Sequence, residues 1–170
     1  MARRFARRRG GIVDATFERG ELELLEGLPE QLRTLYRADD DDPARARLFP
    51  RAYLDPTEEQ AEDEWQELVY PDLLSARLES LDRLTASLDA AEPARKDRVV
   101  LHLQPDDVQA WLAVLNDARL ALGTRIGVTD SNELAAVDPG DPEAATIAAY
   151  TWLTYLEGEL VEELLGELPK

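Results

Sequence analysis

Carboxylates supply most of the chemistry this sequence could perform: 36 of its 170 residues are Asp or Glu. Five of them fall in a pattern that could act together. Glu58, Glu59 and Glu62 fit one helix, with Glu79 and Asp82 farther along it or on a second arm of a helical hairpin. Such a set could close on magnesium ions, which would clamp phosphates and activate water. With about one residue in five acidic, however, a five-carboxylate pattern with a variable gap arises on the order of once by chance. A solvated helix face is therefore the simpler account. The run Asp39 to Asp42 before Pro43 lacks the ligand spacing and the turn glycine of a calcium loop, so it reads as an exposed linker.

Other catalytic chemistry finds little footing. His102, the sole histidine, sits between Leu101 and Leu103 in an alternating strand pattern, with no orienting carboxylate or nucleophile near it in the chain. There is no glycine-rich phosphate loop and no serine elbow. The absence of cysteine excludes a disulfide, a thiolate metal site and a thiol nucleophile within this chain. The reading carries no catalytic residue, no metal site and no cofactor.

Two polar groups remain. In Leu115-Asn116-Asp117-Ala118-Arg119-Leu120, running on to Thr124, Arg125 and Gly127, the residues Asn116, Asp117, Arg119, Thr124 and Arg125 crowd an otherwise apolar helix. Arginine forks tying Asp117 to neighbouring helices explain this better than a ligand site, because buried charges persist only when paired. The second group is a basic arm of Arg3, Arg4, Arg7, Arg8 and Arg9. It could lie against DNA phosphates or a protein partner, or simply fasten to the acidic body.

The elements that must position these groups follow from periodicity. Residues 1–17 read as a basic hairpin around Gly10-Gly11, with Phe5, Ile12, Val13 and Phe17 as apolar anchors. Leu22, Leu25, Leu28, Leu32 and Leu35 have helical spacing, in one helix or in two divided at Pro29. The patch Leu48-Phe49-Pro50-Arg51-Ala52-Tyr53 docks a connection onto the core. Thr57 and Gln60 then suggest a capping box opening a long helix, whose Trp65, Leu68, Val69, Leu73, Leu74, Leu78, Leu81, Leu84 and Leu88 mark one buried stripe. Arg98 to Leu103 is a strand that pairs with the hairpin. Gln104-Pro105-Asp106-Asp107 starts the next helix, and Thr129 to Asp141 is a loop. A last helix begins near Asp141-Pro142-Glu143 with a broad apolar face that also suits a homodimer, its Glu157, Glu159, Glu162 and Glu163 turned to solvent. The expected fold is α+β and mainly α: a single domain over 1–170, with four or five helices and a small antiparallel N-terminal sheet, the helical body spanning 18–170.

Charge narrows the function. Net charge is −17, and without the arm 14 basic residues face 36 acidic ones, leaving −22 on the rest. Such a body repels phosphate backbones, so DNA contact is open only to the arm. The start Met-Ala-Arg-Arg-Phe-Ala-Arg-Arg-Arg has the charge of an export signal but no apolar stretch after it, because Asp14, Glu18 and Glu21 intervene. No run reaches the roughly 20 apolar residues that span a bilayer. The chain reads as cytoplasmic, without membrane contact.

Taken together, the basic segment with Gly10-Gly11, the Leu48 to Tyr53 patch, and Leu115-Asn116-Asp117 running into Leu122-Gly123-Thr124-Arg125 resemble an actinobacterial, AosR-like family of oxidative-stress transcriptional regulators, earlier a domain of unknown function. The resemblance covers nearly the whole chain, with Asn116 to Gly127 its most distinctive stretch. It implies regulation of transcription, and in some members a cysteine-based switch near the N-terminus. This sequence departs from that switch, having no cysteine. The expectation is a non-enzymatic regulator acting through a protein partner, such as the transcription machinery, and through the arm. The five-carboxylate pattern, which resembles the magnesium site of all-helical nucleotide pyrophosphohydrolases, and a purely structural homodimer are the alternatives.

Overall fold

The computed structural model describes residues 3–128 and 140–166. Its sheet begins with β1 (Phe5–Arg7) and β2 (Val13–Glu18), joined through a 3-10 turn at Arg9–Gly11. Gly10 and Gly11 have φ of 80° and 79°, the left-handed region that glycine enters at no steric cost. β2 then pairs antiparallel over its whole length with β4 (Arg98–Leu103), Val13 opposite Leu103 and Glu18 opposite Arg98. Alternation sets the faces: Val13, Ala15 and Phe17 with Val99, Leu101 and Leu103 are buried on one side, while His102 looks outward.

A short strand absent from the sequence expectation, β3 (Glu92–Ala94), completes the antiparallel order β1-β2-β4-β3. All three of its residues are exposed, so it offers no alternating signal. Pro93 is tolerated because β3 is an edge strand. The turn back to β4 passes through Lys96 and Asp97 at φ of 61° and 55°.

Helices α1 (Arg19–Glu26) and α2 (Leu28–Tyr36) are separate, with Pro29 in the first turn of α2, where its missing N–H costs nothing. The acidic run is more than a linker. Asp42 caps α3 (Pro43–Leu48) by accepting from the backbone N–H groups of Ala44 and Arg45 at 2.9 and 3.3 Å. The expected Thr57–Gln60 capping box does not form. Asp55 instead takes both the Thr57 amide and its hydroxyl, each at 2.8 Å, in a 3-10 turn at Pro56–Glu58 ahead of α4 (Glu59–Asp89).

The stripe expected along α4 also divides. Leu81, Leu84 and Leu88 are buried, whereas Leu68 is 76% exposed. At 100° per residue, Trp65 and Leu68 lie about 140–160° round the helix from Leu81. They are apolar at helical spacing, but on another face.

The central element is α5 (Pro105–Arg125), opened by a Gln104–Asp107 capping box with Pro105 in the first turn. It ends in a Schellman motif, where the Val128 and Gly127 amides donate to the Gly123 and Thr124 carbonyls and Gly127 sits at φ of 68°. Its Trp111 is fully buried and stacks on Phe17 of the sheet, ring centroids 5.7 Å apart. Gly123 admits α6 (Ala144–Leu165): a Cβ there would come within 3.1 Å of the Tyr150 ring. One cluster of buried side chains, from Phe5 to Leu160, runs through sheet and helices. Among the described residues five helices have eight residues or more, beside the six-residue α3. The loop expected from Thr129 to Asp141 lies outside the described residues except for Gly140 and Asp141. No helix among them is long and apolar enough to cross a membrane.

This partition predicts opposite outcomes for two leucines. Leu101→Ala, at the sheet–α5 interface, should cost about 2–5 kcal/mol in urea unfolding. Leu68→Ser, on the outer face of α4, should stay within about 0.5 kcal/mol of the parent.

Candidate functional site

The polar stretch of α5 is a structural hub. Asp117 is 4% exposed and accepts from the Tyr36 hydroxyl of α2 at 2.6 Å and from an Arg77 Nη1 of α4. The other Arg77 nitrogen donates to the Leu48 carbonyl at 2.9 Å. Burial and the Asp117 charge push the Tyr36 phenol far above its ordinary range, so it remains a donor. Arg77 also lies over the Phe49 ring, 5.0 Å from its centroid, and Arg45 lies over it at 5.4 Å. The Leu48–Phe49 patch and the Asn116–Gly127 stretch, far apart in sequence, thus meet at one carboxylate.

The neighbouring polar residues radiate from the same helix. Arg119 donates to Asn116 at 3.2 Å and pairs with Glu157 of α6 at 2.9 Å. Arg125 reaches Asp42, the cap of α3, at 2.7 Å. Thr124 returns its hydroxyl to the Leu120 carbonyl within α5. These contacts lead to other helices or back into α5, and each has a structural explanation. Sequence reasoning missed Tyr36 and Arg77, which lie 81 and 40 residues from Asp117. The one local signal is Arg77 itself, a charge at core-facing spacing between Leu74 and Leu81.

The basic arm is fastened down in part. Arg4, with a side chain only 19% exposed, pairs with Glu21 at 2.8 Å and Glu159 at 3.0 Å and stacks over Phe17. Arg3 reaches Glu163 at 3.4 Å, and the same carboxylate accepts the Arg7 backbone amide at 2.9 Å. Arg8 pairs with Asp14 at 2.7 Å. Arg9 is exposed and has no ion-pair partner among the described residues. Glu157, Glu159 and Glu163, expected in solvent, are the sockets of these arginines and of Arg119. The face of α6 expected to suit a dimer buries Leu153, Leu156 and Leu160 in the chain's own core.

The other carboxylates do not converge. Glu62 and Glu79 are separated by roughly 25 Å along one continuous helix at 1.5 Å per residue. Glu62 is buried and accepts the Ala52 and Tyr53 amides at 2.9 and 2.8 Å, with Gln66 on its other oxygen. Glu59 faces Arg51, Glu79 faces Arg83 and Asp82 faces Arg33. A shared magnesium centre is ruled out by this spacing. His102 stands on the outward side of its strand, as expected, and has an orienting carboxylate that no neighbouring sequence supplies. Strand pairing sets Asp14 opposite it, with Oδ1 2.7 Å from Nδ1. Burial pushes the Asp14 carboxyl up, but the hydrogen bonds from His102 and Arg8 outweigh this and hold it below its ordinary value.

Two outcomes follow from these contacts. Arg77→Ala strands the buried Asp117 and should cost about 3 kcal/mol or more, whereas Arg33→Ala, whose partner Asp82 is exposed, should cost under about 1 kcal/mol in the same unfolding assay. Asp14 and, through Arg4 and the Glu18 amide, Glu21 have carboxyls held low against the pull of burial. Their contribution is present above the ordinary values of 3.8 and 4.5 and is lost as pH falls below them. Acid unfolding of Asp14→Asn/Glu21→Gln should be measurably less pH-dependent below about pH 4.5 than that of the parent.

Residues 2–164 match the family described as a domain of unknown function, DUF2017. The oxidative stress regulator AosR of Mycobacterium tuberculosis (strain H37Rv) is 32% identical over 167 residues, covering 90% of this chain and 70% of the relative. AosR of Mycobacterium bovis matches to the same extent. No solved structure matches. The chain therefore belongs to the DUF2017 family, whose AosR-like members are named as oxidative stress regulators.

Proposed function

We propose that this chain is a non-enzymatic regulator of transcription, working in the cytoplasm by binding another protein, with its basic hairpin serving as a fastener. The observation that carries this reading is the capture of the arm: Arg3, Arg4 and Arg8 are each engaged by carboxylates of the same chain. Arginines already paired have less to offer DNA phosphates, and the surface around them is acidic. The relatives' name, oxidative stress regulator, supports regulation. The dispersal of Glu59, Glu62, Glu79 and Asp82 onto separate partners speaks against phosphate hydrolysis. Having no cysteine, this chain has no thiol of its own with which to sense oxidation, so its response comes through what it binds.

A salt-dependent duplex DNA titration tests the reading. Deleting the arm is the wrong variant, because Phe5 is 2% exposed and belongs to the core. Arg7→Gln/Arg9→Gln keeps β1 and removes two exposed guanidiniums. Near 0.15 M salt the parent should bind duplex more weakly than about 0.1 mM, and the double variant should match it. Micromolar binding whose salt slope falls by about two in the double variant would restore the arm as a DNA contact and overturn the reading.

A further inference from the structure

The N-terminal half of α4 is built for something the fold does not need. From Asp55 to Asp72 there are eight carboxylates and no lysine or arginine, a large share of a net charge of −17. Glu64, Glu67 and Asp72 are exposed and form no ion pair among the described residues. The same stretch and the residues on either side of it expose large apolar side chains. Leu54 is 82% exposed, Leu68 76%, and Tyr53 and Leu73 37% each. Trp65 and Val69 are only half-buried and take no part in the core cluster.

This surface is held in shape. Glu62 ties the Ala52 and Tyr53 amides to the helix, and Arg51 reaches across to Glu59 at 2.7 Å. Tyr53 and Leu54 are thereby fixed beside the start of α4, so little ordering remains to be done when something docks. We infer that the outer face of α4, with Trp65 and Leu68 flanked by Glu64, Glu67 and Asp72 and with Leu54 exposed beside the helix start, docks a basic amphipathic helix of a partner protein. Charge complementarity selects this occupant. A second copy would bring the same carboxylates against these, and nucleic acid or anionic lipid would be repelled, whereas a helix with leucines on one face and lysines beside them satisfies both parts of the surface. The inference rests on the reading of the chain as a protein-binding regulator and gives that partner its chemistry and place.

The test uses the full chain and a short amphipathic Leu/Lys helical peptide, with a Ser/Lys peptide of equal charge as control, near 0.15 M salt. Leu54→Ser/Leu68→Ser removes the apolar centre, and its unchanged unfolding midpoint verifies the fold. Glu64→Lys/Glu67→Lys/Asp72→Lys reverses the rim. By calorimetry the Leu/Lys peptide should bind the parent at least about tenfold tighter than the Ser/Lys peptide. The leucine variant should lose that advantage, and the rim variant should lose binding to both peptides. Equal binding of the two peptides, or parental affinity in the leucine variant, overturns the assignment of this face while leaving the regulator reading to its DNA test. A concentration-dependent dimer of the parent in sedimentation, abolished by Leu54→Ser/Leu68→Ser, also overturns it by assigning the face to a second copy.

Discussion

A carboxylate placed at the middle of a buried helix has to be answered, and in this chain the answer to Asp117 organises the helical body. Leaving a charge unpaired in an interior costs several kcal/mol, so α5 can pack only where Tyr36 and Arg77 arrive together. Apolar contacts between helices permit sliding and rotation, since one leucine replaces another. A phenol and a guanidinium converging on one oxygen do not. The pairing fixes α2 and α4 against α5. Through the second nitrogen of Arg77 and its stacking on Phe49, it also fixes the chain entering and leaving α3.

The same logic, at lower stakes, extends to the periphery. In a chain with nearly twice as many acidic as basic residues, self-repulsion opposes compaction. Arginines are placed where two elements must be joined: Arg4 between the hairpin, α1 and α6, Arg119 between α5 and α6, Arg125 between α5 and α3. These three arginines close seams between elements, while many carboxylates are left to solvent. The negative surface is thus partly a consequence of how the interior seams are closed.

How much of this could be read in the sequence depended on the range of the interaction. The hairpin at Gly10-Gly11, the strand over 98–103 and the capped start of α5 are local patterns, and all three stand where the sequence puts them. The role of Asp117 as a carboxylate tied by arginine was also legible, because burial leaves few alternatives. Its partners were not, since nothing within a helical turn of Asp117 points to Tyr36 or Arg77. The partner of His102 was hidden for the same reason: Asp14 lies 88 residues away and arrives only through the β2–β4 register. β3 was invisible because an exposed, proline-containing edge has no alternation to read. Leu68 was misplaced for a different reason. Spacing shows that a helix has an apolar face, but not which face meets the core.

That last point separates the two halves of α4. In the half from Leu74 to Leu88 the apolar positions face α5 and the sheet, and the fold explains them. From Ala61 to Val69, on the other side of Pro71, the apolar positions lie on a different side of the same helix, away from that core. Helix stability there does not come from burial of Leu68, and the like charges along the turn oppose it. A segment maintained only to lengthen the helix would do better with lysines among its glutamates and with serine in place of leucine. The combination present instead leaves Leu68 in water and like charges along the same turns. The proposed docking of a basic helix would supply a compensating term from outside the chain, burying the leucines and neutralising the carboxylates together.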